Sequence, residues 1–242
     1  MCKACPIREL GLSDSFGNSG GKNMFAYKPS GDKWRLLIWD LDVGLGEWAS
    51  CLPDPSGSEP IFYNWDTNTV RLEGHPPFRR AWYRATEELA AGPMRAVNLN
   101  PVFVANYNEL TNNGVSALFP FTVVTNVCST NYNYSLSTWI EWRRRVLTNE
   151  LAAVATTFAI TNNGGANFTT NAANVLLGGT APVKVATIRI NSTTSDAPVT
   201  WGTVTNWTVT VALTNGANPL TVRGYDRLGV SNAVDTITIT RQ

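Results

Sequence analysis

Hydrophobic and polar residues alternate with a period of two along the last part of the chain, the mark of strands that bury one face. Trp207, Val209, Val211 and Leu213 fall on one side, and Thr208 and Thr210 on the other. The same period returns over 183–190, 220–226 and 236–240. Turn signals separate these runs: Asp196-Ala197-Pro198, Asn215-Gly216 and Asp226-Arg227-Leu228-Gly229. Short strands at this spacing over about 75 residues predict an all-β sandwich.

Upstream the period changes. Lys33 to Trp39 reads as a strand, and Met24, Phe25 and Tyr27 mark an aromatic strand before it, with a turn at Pro29-Ser30-Gly31-Asp32. Pro76-Pro77-Phe78 opens a helix that runs to Ala91 and stops at Gly92-Pro93. Its apolar stripe is Phe78, Trp82, Ala85 and Leu89, with Arg80, Arg84, Glu87 and Glu88 on the other faces. A second helix opens at Asn100-Pro101, carries Phe103, Tyr107 and Leu110, and ends at Asn113-Gly114. A third runs from Leu136 to Phe158 with Trp139, Trp142, Val146, Leu147, Leu151 and Val154 inward. The first part is therefore α+β, a short β region followed by helices.

Charge sharpens this division. Residues 1–150 hold 29 charged side chains and residues 151–242 only 8, and Asn162-Asn163-Gly164-Gly165 is a turn-and-linker signature beside the change. Two domains are expected, 1–161 and 162–242. Over all 242 residues the net charge is +1, which gives no broad electrostatic footprint for nucleic acid. Charged residues are 15%, below the roughly 25% of an average soluble domain. The Asn, Thr, Gly and Ser that replace them suit turn-rich β-structure outside the cytosol. No apolar run approaches the ~20 residues that a spanning helix needs. Met1-Cys2-Lys3-Ala4-Cys5-Pro6 has no apolar signal-peptide core, so the chain is expected to be the later portion of a longer protein.

Candidate chemistry concentrates at Trp34 to Gly46. On a strand Trp34, Leu36, Ile38, Asp40 and Asp42 share a face, so an apolar run ends in two carboxylates followed by Gly44-Leu45-Gly46. Like charges roughly 7 Å apart repel and are costly to desolvate. A divalent cation relieves both problems, and hard oxygen ligands select Mg2+ or Ca2+. The plain alternative is that both aspartates cap the following turn. Upstream, Gly20-Gly21-Lys22 is not a phosphate loop, because Phe16 stands where its first glycine belongs and Asn23 replaces Ser/Thr. No Gly-x-Ser-x-Gly element is present.

Taken together, Asp14, Lys22-Asn23 leading into the aromatic strand, and Trp39-Asp40-Leu41-Asp42 with its Gly-x-Gly resemble the CotH kinase-like family, atypical protein kinases named for a bacterial spore-coat protein. His75 to Arg80 and Trp142-Arg143-Arg144-Arg145 resemble that family's C-terminal portion, and the match covers about residues 10–160. The resemblance implies Asp14 as catalytic base, Asn23 and Asp40 as metal ligands, and Asp42 as a further ligand or partner. Lys22 is the candidate nucleotide contact, although neither it nor Lys3 reproduces the kinase Lys–Glu pair. Implied cofactors are Mg2+ or Mn2+ with ATP as phosphate donor, and the implied acceptor is a Ser/Thr hydroxyl of a protein substrate. Only thirteen residues precede Asp14, so the expectation is the C-terminal half of such a kinase domain, which alone catalyses nothing. The sandwich resembles immunoglobulin-like modules of bacterial surface proteins, which implies a secreted or cell-surface parent. The competing reading is a non-catalytic surface binding protein with a degenerate kinase-like scaffold.

Other features read more simply. Cys2-x-x-Cys5 lacks a second pair, and Cys51 and Cys128 could bridge in an exported protein. His75 is expected to cap or pack, Arg143-Arg144-Arg145 to lie on a solvated face, and Trp201 and Trp207 to sit in the sandwich core. The glycosylation patterns at Asn133, Asn167, Asn191 and Asn206 are coincidences of an Asn- and Thr-rich chain.

Overall fold

The computed structural model describes residues 24–32, 35–38, 58, 60–62, 67–114 and 136–242. They divide into two compact units, one drawn from Met1–Glu73 and Ala85–Ala152 and the other from Gly74–Arg84 and Ala153–Gln242.

The first unit contains an antiparallel hairpin of β1 (Met24–Tyr27) and β2 (Arg35–Ile38), in register Met24↔Ile38 through Tyr27↔Arg35. Its turn is closed by the Asp32 N–H donating to Pro29 O at 3.2 Å, and Gly31 takes the positive φ of +75° that the third position of a type II turn demands. Four helices follow among the described residues: α1 (Thr67–Gly74), α2 (Pro76–Ala91), α3 (Ala96–Asn112) and α4 (Leu136–Ala152). Glu150 of α4 accepts the N–H of the buried Ile61 on both carboxylate oxygens, at 3.1 and 2.9 Å. The start of α2, as far as Arg84, belongs to the second unit.

The bounds of α2 are those its flanking prolines and glycine predict. Helix α3 begins four residues before the expected Asn100, and Pro101 lies inside it. A turn at Gly92–Arg95 provides the earlier start, with the Asn98 and Leu99 N–H groups donating to Arg95 O and the Asn98 side chain to Gly92 O. Helix α4 stops at Ala152, not Phe158, and after a turn the chain becomes strand at Ala159.

The second unit is a β-sandwich of two four-stranded sheets. One has the order β3 (Ala159–Ile160), β5 (Asn174–Thr180), β8 (Asn206–Ala212), β7 (Thr200–Trp201). The other has β4 (Phe168–Thr170), β10 (Ser231–Arg241), β9 (Gly216–Tyr225), β6 (Thr187–Ile190). Lettered along the chain, with β3 and β4 as a split first strand, these are ABED and A′GFC, the strand arrangement of seven-stranded immunoglobulin-type sandwiches. The switch between sheets occurs at Asn162–Gly165, a 3₁₀ turn in which Asn163, Gly164 and Gly165 all have positive φ. Beyond it β4 runs parallel to β10, with Phe168 opposite Ile239.

Both sheets contribute to one core, including Leu177, Trp207 and Val209 from the first and Ile188, Val222 and Ile239 from the second. Trp207 also donates its indole N–H to Thr180 O at 3.2 Å. Gly179 is there because of it: a Cβ at that position would lie 2.3 Å from Ala159 O and 2.4 Å from the indole. Asp235 on β10 ties the sheets together by accepting the Ile160 N–H at 2.7 Å.

Candidate functional site

The five residues expected to carry chemistry, Asp14, Lys22, Asn23, Asp40 and Asp42, lie outside the described residues, as do Cys2, Cys5, Cys51, Cys128 and Asn133. What the structure does describe is the hairpin between them. Met24, which follows Asn23 in sequence, is paired directly with Ile38, which precedes Asp40 by two residues. Backbone hydrogen bonding therefore holds the two chain ends that lead to these polar positions side by side. Among the described residues no three His, Cys, Asp or Glu side chains come together as a metal-binding group.

The most constrained polar side chain described is one that the sequence placed off the apolar stripe of its helix. Arg80, on α2, is only 2% exposed. Its Nη1 donates to Ala181 O at 3.0 Å and to Val204 O, and its Nη2 to Val185 O at 2.8 Å and to Pro182 O. The guanidinium carbon stands 3.7 Å from the centroid of the Trp201 ring, a close cation–π stack. A planar cation with forked donors can satisfy acceptors on two loops at once, which an ammonium cannot. The two loops join β5 to β6 and β7 to β8, so Arg80, from the part of α2 that belongs to the same unit, occupies this end of the sandwich. Trp201 accordingly presents its ring to Arg80, and Trp207 is buried in the core.

This contact also explains a departure from the predicted strand at 183–190. Only Thr187–Ile190 is strand, because the segment before it turns, with the Val185 N–H donating to Pro182 O, and gives three of its carbonyls to Arg80. His75 stays exposed, and its backbone carbonyl accepts the Arg79 N–H at the start of α2.

The arginine run on α4 also divides differently from expectation. Arg143 is buried at 2% exposure, while Arg145 is exposed, 5.7 Å from the Trp142 ring. Arg144 pairs with Glu141 at 2.8 and 2.5 Å, and that hydrogen bond holds the Glu141 carboxyl below the usual glutamate range. Trp142, expected inward, is 39% exposed. The helical stripe is rotated by one residue so that Trp139, Ile140, Arg143 and Leu147 face inward. On the sandwich, Arg189 donates to Asp196 at 2.8 Å and stacks 4.0 Å over Tyr225, and the Asp196 hydrogen bond raises the Arg189 pKa further. Asn191 and Asn167 use their side chains to bind backbone groups of β9 and β10.

No protein-family model matches the chain, and no curated protein matches it. Among solved structures, it is similar to the fibronectin(III)-like modules of CbhA from Clostridium thermocellum, at 12% identity and a TM-score of 0.27, over 36% of this chain and 96% of that one. No described helix is long and apolar enough to cross a membrane.

Proposed function

We propose that the chain is the C-terminal portion of a CotH-like atypical protein kinase carried by a secreted or cell-surface protein, followed by an immunoglobulin-like module. The observation that supports this reading is the Met24↔Ile38 pairing, which holds adjacent the strand ends leading to Asn23 and to Asp40-Leu41-Asp42. The donor set is one amide and two carboxylates, hard oxygen ligands that suit Mg2+ or Mn2+. Bound there, the ion would neutralise phosphate charge, and positioning supplies most of the remaining catalysis in phosphoryl transfer. In this reading Asp14 accepts the proton of the attacking Ser/Thr hydroxyl and Lys22 contacts the phosphates of ATP.

These roles separate in a nucleotide-binding experiment. Thermal denaturation of the full chain should show a stabilising shift with ATP that requires Mg2+ or Mn2+. Asp40→Ala should abolish the shift, whereas Asp14→Asn should keep it, because a base is not a metal ligand. A shift that persists without metal, or one that Asp40→Ala leaves intact, contradicts the proposal.

A second reading, a non-catalytic binding protein, draws on the sandwich. Arg80 engages the loops that join β5 to β6 and β7 to β8, and a lateral edge beside β8 is open among the described residues.

A further inference from the structure

Among the described residues, one side of strand β8 in the sandwich is paired over only part of its length. Strand β8 pairs with β5 over its whole length, from Asn206↔Thr180 to Ala212↔Asn174. On its other side β7 covers only Trp207 and Thr208. The Gly202 N–H donates to Asn206 O at 3.0 Å, which fixes the phase of this ladder. Asn206, Thr208, Thr210 and Ala212 therefore turn their backbone N–H and C=O groups toward the β7 side. Beyond Thr208 no described residue meets those of Thr210 and Ala212.

The cause lies at Pro198. It has no N–H to give a ladder, and the Val199 N–H donates to Ala197 O at 2.8 Å in a tight turn. The Ala197 N–H in turn donates to Ile188 O at 2.7 Å, on the opposite sheet. The chain thus crosses between sheets where β7 would have continued.

An open cleft of about 620 Å³ lies along this edge, floored by Val209, Val211, Ile190 and Leu220. Its other wall, the edge of β9, is closed at Pro219 and Thr221. Pro219 lacks an N–H there, and the Asn191 side chain accepts the Thr221 N–H at 2.7 Å and donates to Pro219 O at 3.2 Å. Proteins normally block exposed edges with proline, charge or a covering side chain. The β9 edge has two of these devices, whereas β8 from Val209 to Ala212 has none.

We infer that this edge is a docking site for an extended, uncharged polypeptide segment of another protein, added to the first sheet beside β8. Two observations fix the chemistry of the occupant. Unpaired N–H and C=O groups on alternate residues are matched by another strand's backbone, as in recognition by strand addition. No ionisable side chain lines the cleft, so a charge on an inward-facing position of the guest would be desolvated without a partner. Alternate apolar side chains of the guest fill the cleft, and the intervening ones face solvent.

The test uses hydrogen exchange of the full chain with a capped pentapeptide of alternating threonine and valine at millimolar concentration. Exchange of the Thr210 and Ala212 amides should slow by about tenfold or more. The same peptide N-methylated at alternate residues, or with lysine in place of valine, should give no slowing. Ala212→Pro should also abolish it, since proline is tolerated where the N–H faces outward, and unchanged Trp207 fluorescence would show the sandwich intact. Absence of slowing, or equal slowing by the N-methylated peptide, overturns the inference. Protection that rises with protein concentration in the absence of peptide also overturns it, because the occupant would then be a second copy.

Discussion

Burying a guanidinium is costly unless its donors are matched, and at Arg80 carbonyl oxygens from two loops match the donors of Nη1 and Nη2 while an aromatic ring covers the plane. Arg80→Met should therefore destabilise the sandwich unit by about 3–5 kcal/mol, because buried carbonyls lose their donor. Arg80→Lys should recover only a minor part of this, since one ammonium cannot reach both loops. Urea denaturation followed by tryptophan fluorescence reads both, and equal stability of wild type and Arg80→Met would contradict the assignment. Gly179 is a second position where one atom decides the outcome. Gly179→Ala places a methyl group into Trp207 and the Ala159 carbonyl, and overpacking of this kind costs about 1–3 kcal/mol. Neither role was legible in the sequence. Arg80 looks like any cation off an apolar stripe, and its acceptors lie about a hundred residues away. Gly179 is read only when the indole that covers it is known.

At the scale of elements, local chemistry was the reliable guide. Helix α2 begins and ends where Pro76 and Gly92-Pro93 say it should, and the alternation at 207–213 marks β8 within one residue of its bounds. Legibility failed where tertiary contact overrides local preference. Arg80 holds the backbone before Thr187 out of the strand that the alternation from Val183 suggests, and α3 starts four residues before the point that Asn100-Pro101 marks. On α4 the exposed Glu141–Arg144 pair is a minor prop. The Glu141 pKa is lower in the folded chain than in the unfolded one. Its contribution is thus present above the ordinary glutamate range and lost as pH falls through the folded value. For so exposed a pair it amounts to a few tenths of a kcal/mol, so Glu141→Gln should flatten the acid limb of the stability curve only slightly. A change above 1 kcal/mol would show a larger role.

At the scale of the whole molecule, the α+β class and the β-sandwich were readable from periodicity and charge, because both register along the chain. The grouping of Gly74–Arg84 with the sandwich was not, because it rests on a side chain reaching distant loops. It follows that a fragment beginning at Ala153 lacks the donor its loops require, and a peptide spanning Gly74–Ala91 should raise its melting temperature. No shift would contradict this grouping. The functional account depends instead on Asn23, Asp40 and Asp42 forming one cation site next to Asp14. Its most direct measurement is Mn2+ binding to the full chain without nucleotide, followed by electron paramagnetic resonance. The account predicts one saturable site in the wild type that is lost in both Asp40→Ala and Asp42→Ala. Identical spectra and binding curves for wild type and Asp40→Ala would contradict it.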